Sequence, residues 1–171
     1  MTKIGRLLIG IVAGMLIALP LTAAKPHGNE HGNVKATING AHVSIDYGRP
    51  ALRGRDMLRQ ITPGEYWRIG ADVPTSLESD KDLNFGGTII PKGKYTLRAH
   101  FVSPGNWTLV FVGNSAAQRQ QGAKHPEVPM TLQETPDSVE LVTIHLADKG
   151  GSGLLEVAWG KLRLSTSFTP A

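Results

Sequence analysis

The residue types that could do chemistry are concentrated between Asp46 and Asp72, a stretch that carries five of the nine arginines in the chain. No lysine occurs between Lys35 and Lys81. A guanidinium group is planar and can bind a carboxylate or phosphate through two parallel hydrogen bonds, which an ammonium group cannot do. The repeated use of arginine therefore predicts recognition of an anion or stacking on aromatic rings.

We predict from this pattern a pocket in which Arg49, Arg55 and Arg68 converge on an anionic group of a small ligand. Trp67 would form one wall of that pocket, and nearby aromatic rings would stack on the arginines. The candidate ligand-binding residues are Arg49, Arg55, Arg68, Trp67, Tyr47 and Asp72.

The same stretch also supports a structural interpretation. Its five arginines are accompanied by four acidic residues, so the local charges nearly cancel. Those acidic residues are Asp46, Asp56, Glu65 and Asp72. Near-neutrality is typical of an internal ion-pair network, and such a network could hold an irregular crossover against the sheets. We prefer the network to the ligand site, and both interpretations stay open at this point.

A β-hairpin is the firmest structural prediction. Apolar and polar residues alternate on both sides of Asn39-Gly40, a pair that favours the tight turn of a hairpin. Counting outward from the turn places apolar residues opposite one another on one face. The predicted pairs are Ile38 with Ala41, Ala36 with Val43, and Val34 with Ile45.

Similar alternation continues to the end of the chain and predicts nine or ten short strands. A turn is predicted at Glu134–Asp137. A β-bulge is predicted at Gly160, because the apolar residues of the last strand change there from odd-numbered to even-numbered positions. The fold class is therefore all-β, as a two-sheet antiparallel β-sandwich, with a closed or partly open β-barrel as the alternative. An irregular crossover with a short helical turn, from Asp56 to Ile61, is expected near residues 50–72.

The first residues predict export. Lys3 and Arg6 precede an apolar run and the small residues Thr22-Ala23-Ala24, the pattern of a secretory signal peptide. We predict a signal peptide at 1–24, a flexible leader at 25–33 and one domain at 34–169. The location would be periplasmic or secreted, without stable membrane insertion after cleavage; a retained anchor is the alternative.

Charge and composition exclude several classes of function. The formal charge of +4 falls to about +2 once the two basic signal residues are subtracted, and no basic run is present, so we expect no nucleic-acid partner. The chain has no cysteine, which excludes disulfides and thiolate chemistry. We expect no cofactor and no metal site. The spacing of His27 and His31 would suit a ligand pair on a helix, but Gly28 and Gly32 oppose a helix there. A second histidine set, on polar strand faces, comprises His42, His100 and His145.

Three sequence segments carry a family resemblance. The segments DYGRPALRGR, GEYWRIGAD and PKGKYTLRA resemble the bacterial family named domain of unknown function 2911. The resemblance covers roughly Val34 to Phe168, and it departs from the family pattern at Asp72, where asparagine is expected. It implies export and the same fold, but no activity.

We expect a non-catalytic binding module for a small anionic or sugar-like (carbohydrate) ligand or for an envelope partner. The alternative is a hydrolase whose acid and base come from Asp46, Asp72 or His100 beside the arginines. The oligomeric state stays open.

Overall fold

A computed structural model describes residues 28–115 and 124–171, most of which lie in antiparallel strands. The strands are β1 Glu30–Ile38, β2 Ala41–Arg49, β3 Tyr66–Trp67, β4 Ser76–Ser79, β5 Leu83–Phe85, β6 Thr88–Ile90, β7 Gly93–Ser103, β8 Asn106–Gly113, β9 Glu127–Asp148 and β10 Gly153–Pro170. A single helical turn, α1, spans Met57–Gln60. The predicted all-β class is confirmed.

The strands form one continuous sheet in the order β1-β2-β4-β7-β8-β9-β10-β5-β6, with β3 beside β7. It is not closed into a barrel. Its continuity depends on two long strands. The start of β9 pairs with β8, and β9 pairs with β10 from Thr131 onward. The far end of β10 pairs in turn with β5, where Thr169 faces Asn84. The layers of the expected sandwich are therefore joined through β9 and β10.

The first hairpin has the predicted register. Ile38 faces Ala41, Ala36 faces Val43, and Val34 faces Ile45. Asn39 and Gly40 have φ angles of 43° and 73°, the left-handed conformation that Asn and Gly tolerate best. β1 begins at Glu30, four residues before the expected strand, because Glu30 to Asn33 also pair with the end of β2.

The bulge predicted at Gly160 is confirmed. It involves more residues than the shift in the apolar alternation of the last strand indicated. Gly160 faces Val139, whereas Leu162 faces Glu134. Residues 135–138 of β9 therefore oppose only Lys161. The turn expected at Glu134–Asp137 was wrong: this segment is a wide irregularity inside one long strand, because ladder pairing resumes on both sides of it.

A single apolar core lies between the folded parts of the sheet. The rings of Phe85, Phe111 and Phe168 meet there, with Phe85 at 5.2 Å from Phe111 and 5.1 Å from Phe168 between centroids. These three rings come from β5, β8 and β10, so the core joins strands that are distant in the sequence. β8 is central, as predicted, and Val110 on its other face is also buried.

The irregular crossover connects β2 to β4 and first runs beside β9. Leu52 N donates to Glu140 O at 2.6 Å, and Val142 N donates to Pro50 O at 3.2 Å. The predicted helical turn is present as α1. Asp56 caps it, because its carboxylate accepts hydrogen bonds from the backbone N–H groups of Leu58 and Arg59.

The predicted signal peptide lies outside the described residues, as do the first three residues of the expected leader. Within residues 28–115 and 124–171, no helix is long and apolar enough to span a bilayer.

Candidate functional site

Arg49 is engaged by protein groups on all of its nitrogen atoms. Its Nε donates to Val142 O at 3.1 Å, and its Nη2 donates to Thr143 Oγ1 at 3.3 Å. Its Nη1 lies 3.1 Å from Glu30 Oε2 and forms an ion pair with it. Arg49 therefore has a structural role, because it joins β2 to β9 and to the start of β1. Its acidic partner, Glu30, lies outside the predicted ion-pair network, and of the four acidic residues in that network only Asp56 pairs with an arginine among the described residues.

Tyr47 lies beside Arg49 on the buried face of β2. Its ring is 5% exposed, and its hydroxyl accepts a hydrogen bond from Ile144 N at 3.0 Å. A Cβ atom at Gly32 would lie 2.5 Å from the ring, so only glycine allows β1 to pass this closely. Tyr47 thus holds three strands together and has little surface left for a ligand.

The loop from Arg68 to Val73 lies directly on β2. A Cβ atom at Gly48 would overlap the backbone of Ala71, and one at Gly70 would lie 2.9 Å from Gly48 O. The two family segments around Tyr47 and Trp67 are therefore packed against each other backbone to backbone. Both segments have a structural role, because they form the contact between β2 and this loop.

Trp67 stacks on Trp159 of β10, with centroids 5.6 Å apart and an angle of 9° between the rings. Trp159 is 3% exposed, and its indole N–H has no hydrogen-bond partner within the described ranges. The Arg55 Cζ atom lies 5.0 Å from the Trp159 ring centroid. Stacking therefore holds the indole ring and the guanidinium group in fixed positions.

Two carbonyl groups fix Arg55 further. Its Nε donates to Leu52 O at 2.9 Å, and its Nη2 donates to Ala51 O at 2.7 Å. Its Nη1 has no bonding partner in the part of the chain that the structure describes. Of the three predicted arginines, Arg55 is the one that combines a fixed guanidinium group with an open cleft.

This cleft, which we call the α1 cleft, has a volume of about 450 Å³ and lies between α1 and the wide irregularity of β9. Its lining residues are Leu52, Arg55, Asp56, Met57, Leu58, Arg59, Glu134, Ser138, Trp159, Gly160, Lys161 and Leu162. Three are basic and two are acidic. Asp56 already caps α1 and pairs with Arg59 at 3.3 Å. Arg55 and Lys161 remain as the available cations, and Glu134 remains as a carboxylate without a partner among the described residues.

Half of the residues that line the α1 cleft lie outside the arginine-rich stretch, and reasoning from the sequence missed them. Trp159, Lys161, Glu134 and Ser138 are far from the arginine-rich stretch, and only tertiary pairing brings them to Arg55. The bulge predicted at Gly160 was the available signal, because bulges are common beside functional sites.

Arg68 and Asp72 do not line the α1 cleft. Asp72 Oδ2 accepts hydrogen bonds from Asn29 N at 2.8 Å and from Asn29 Nδ2 at 3.1 Å. These bonds and the nearby charge of Arg68 hold the pKa of Asp72 below its ordinary value. Asp72 has a φ of 64°, a conformation that Asn and Asp adopt more readily than most other residues with a side chain. The carboxylate anchors the chain before β1.

The predicted histidines have separate surroundings. His42 Nδ1 lies 3.1 Å from Thr37 Oγ1, and His145 is exposed on β9. His100 Nδ1 lies 3.0 Å from Glu127 Oε2, and its ring stacks on Tyr66. Among residues 28–115 and 124–171, no three acidic or histidine side chains come close enough to hold a metal ion.

Comparison with known proteins gives a family but no activity. No curated protein and no solved structure matches this chain. A family model described as "Protein of unknown function (DUF2911)" matches residues 29–168, which include every described strand from β1 to β9 and most of β10. The chain belongs to this family.

Proposed function

We propose that this protein is an exported, non-catalytic binding module that holds a small anionic ligand in the α1 cleft. The observation that carries the proposal is the state of Arg55. Two backbone carbonyl groups and the Trp159 ring fix its guanidinium group, while Nη1 has no partner among the described residues. A cation that is already fixed loses little conformational entropy when it binds an anion.

The composition of the α1 cleft favours an anion over a neutral sugar. Sugar recognition would need an exposed aromatic face, but Trp159 is 3% exposed and is in contact with Trp67 and Arg55. Lys161 is exposed and supplies a second cation to the lining of the α1 cleft. A carboxylate or phosphate group therefore matches the available donors better than hydroxyl groups do.

The hydrolase alternative has less support. Asp46 Oδ1 accepts a hydrogen bond from Asn33 Nδ2 at 2.6 Å, Asp72 anchors Asn29, and His100 pairs with Glu127. Each group that would supply the acid or the base thus has its own structural partner. None of the three lines the α1 cleft.

Export is part of the proposal and rests on residues 1–24, with their basic start, apolar run and small residues before Lys25. The mature protein would begin at Lys25. N-terminal sequencing of the protein from a periplasmic fraction checks this, and an uncut N terminus would contradict it.

The ligand proposal is tested by titrating the protein with citrate, phosphate and, as a neutral probe, glucose at matched ionic strength. We expect saturable binding of citrate or phosphate and none of glucose. Lys161→Gln should weaken binding roughly tenfold, because a hydrogen bond to a charged group contributes about 1.5 kcal/mol. Arg55→Gln should weaken it at least as much.

Lys149→Gln is the matched control, because Lys149 is exposed at the turn between β9 and β10 and lies outside the α1 cleft. Lys161 makes no side-chain bond to the described residues, so its variant should fold even if Arg55→Gln does not. Equal binding by wild type and Lys161→Gln, or turnover of an ester or glycoside, would overturn the proposal.

A further inference from the structure

A second pocket lies on the face of β7 and β8 that points away from the main core. Its volume is about 560 Å³, within the range of small-ligand sites. Val110 and Val112 of β8 form its apolar part, and Val110 is 2% exposed although it lies outside the main core cluster. The strand register places Arg98 opposite Val110. This feature, which we call the β7–β8 pocket, shares no residue with the α1 cleft.

Tyr66 gives the β7–β8 pocket an aromatic wall. Its side chain is 51% exposed, the largest exposed fraction among the large apolar and aromatic residues that the structure describes. Tyr66 stacks on His100 with centroids 4.3 Å apart and an interplanar angle of 12°. Stacking uses one face of the phenol ring and fixes its orientation. The exposed part of the ring is available to a flat ligand group.

Among the described residues, Glu127 is the only carboxylate that lines the β7–β8 pocket, and protein groups already satisfy it. Its Oε2 accepts from Thr108 Oγ1 at 2.6 Å and lies 3.0 Å from His100 Nδ1. A carboxylate can only accept, so this nitrogen of His100 carries the hydrogen. Burial raises the pKa of Glu127, but the hydrogen bonds from Thr108 and His100 outweigh it and hold the pKa below its ordinary value.

Two cations then determine the charge that a ligand would meet. Arg98 and Lys124 line the β7–β8 pocket, and neither side chain bonds to another residue in the described part of the chain. His125 lies at the same rim. An anionic group would therefore find donors beside an aromatic wall and an apolar floor.

We infer that the β7–β8 pocket is a second ligand site, which binds a ring-bearing carboxylate. The ring would lie between Tyr66 and Val112, which is only partly buried, while the nearly buried Val110 supports Val112 from below. The carboxylate would be bound by Arg98 and Lys124. This inference is independent of the α1 cleft, where the aromatic ring of Trp159 is covered.

The probe is benzoate, titrated into isotope-labelled protein and followed by the amide signals of β7 and β8. Benzyl alcohol is the control for charge, and acetate is the control for the ring. We expect saturable binding of benzoate, about three- to tenfold tighter than either control. Tyr66→Leu and Arg98→Gln should each weaken benzoate binding by a similar factor.

Lys94→Gln is the matched control, because Lys94 is an exposed cation on the same strand outside the β7–β8 pocket. Arg98→Gln keeps the test valid if Tyr66→Leu is unstable. The inference is wrong if benzoate and benzyl alcohol bind equally, or if neither variant changes the affinity. If Lys161→Gln abolishes benzoate binding, benzoate binds in the α1 cleft, and the result supports only the first proposal.

Discussion

Arg49→Lys tests whether the arginine-rich stretch is structural. The substitution keeps the positive charge but replaces a group with three engaged nitrogens by a single ammonium group. Lysine could keep the ion pair with Glu30 or one of the bonds to β9, but it cannot make all three. The variant therefore loses about two hydrogen bonds.

The expected cost follows from the surroundings of Arg49. Its side chain is 27% exposed, whereas that of its ion-pair partner Glu30 is 64% exposed. The ion pair with Glu30 is screened by water and should contribute less than about 1 kcal/mol. Each hydrogen bond to β9 should contribute about 0.5–1.5 kcal/mol. We expect Arg49→Lys to lower the free energy of unfolding by roughly 1–3 kcal/mol.

Urea denaturation followed by tryptophan fluorescence measures this change. Arg59→Lys is the matched control, because Arg59 is 88% exposed and, within residues 28–115 and 124–171, pairs only with Asp56 at its own helical turn. We expect the control to change stability by less than about 0.5 kcal/mol. If Arg49→Lys is as stable as wild type, or if both variants lose the same amount, the structural role assigned to Arg49 is refuted.

Two further predictions concern the loop that lies on β2. Gly48→Ala should destabilise the fold by about 3 kcal/mol in urea denaturation, because the added Cβ meets the backbone of Ala71, which cannot move aside like a side chain; an unchanged midpoint would contradict this packing. Asp72→Asn should be less stable than wild type at neutral pH, since the lowered pKa means that folding favours the carboxylate form. That stabilisation is present above the ordinary pKa of 3.8 and is lost as the pH falls through the lower pKa of Asp72 in the folded protein. The denaturation curves of Asp72→Asn and wild type should therefore converge in acid. A difference in stability that does not change with pH would show that the charge of Asp72 is unimportant.

Local patterns predicted the parts of the fold that depend on near neighbours. The hairpin around Asn39-Gly40 and the helical turn after Asp56 follow from turn chemistry and capping, which act within a few residues. The segment at 134–137 was read as a turn for the same reason. Its true state depends on β10, which pairs with β9 on both sides of the irregularity.

The candidate site was harder to predict because its members come from distant parts of the sequence. Tyr47 occupies an inward-facing position in the alternating pattern of a strand. It is buried in the structure, so this position decides its role, and the proposed role beside a ligand does not. Arg55 was identified by its type, but its importance depends on Trp159 and Lys161, which no local pattern connects to it. Residue type thus indicated the chemistry, and tertiary pairing decided which arginine was available.

The attachment of β5 and β6 to β10 has a consequence for how the chain reaches its native state. Leu83 and Asn84 pair with β6 inside their own hairpin and, on the other side, with Pro170 and Thr169 of β10. The pairing with β10 closes a very long loop. Such loops are entropically costly to close before other contacts form. Folding dominated by distant pairings is slow. We expect the chain to stay open longer than a protein built from consecutive hairpins, and slow folding would suit the export that we propose.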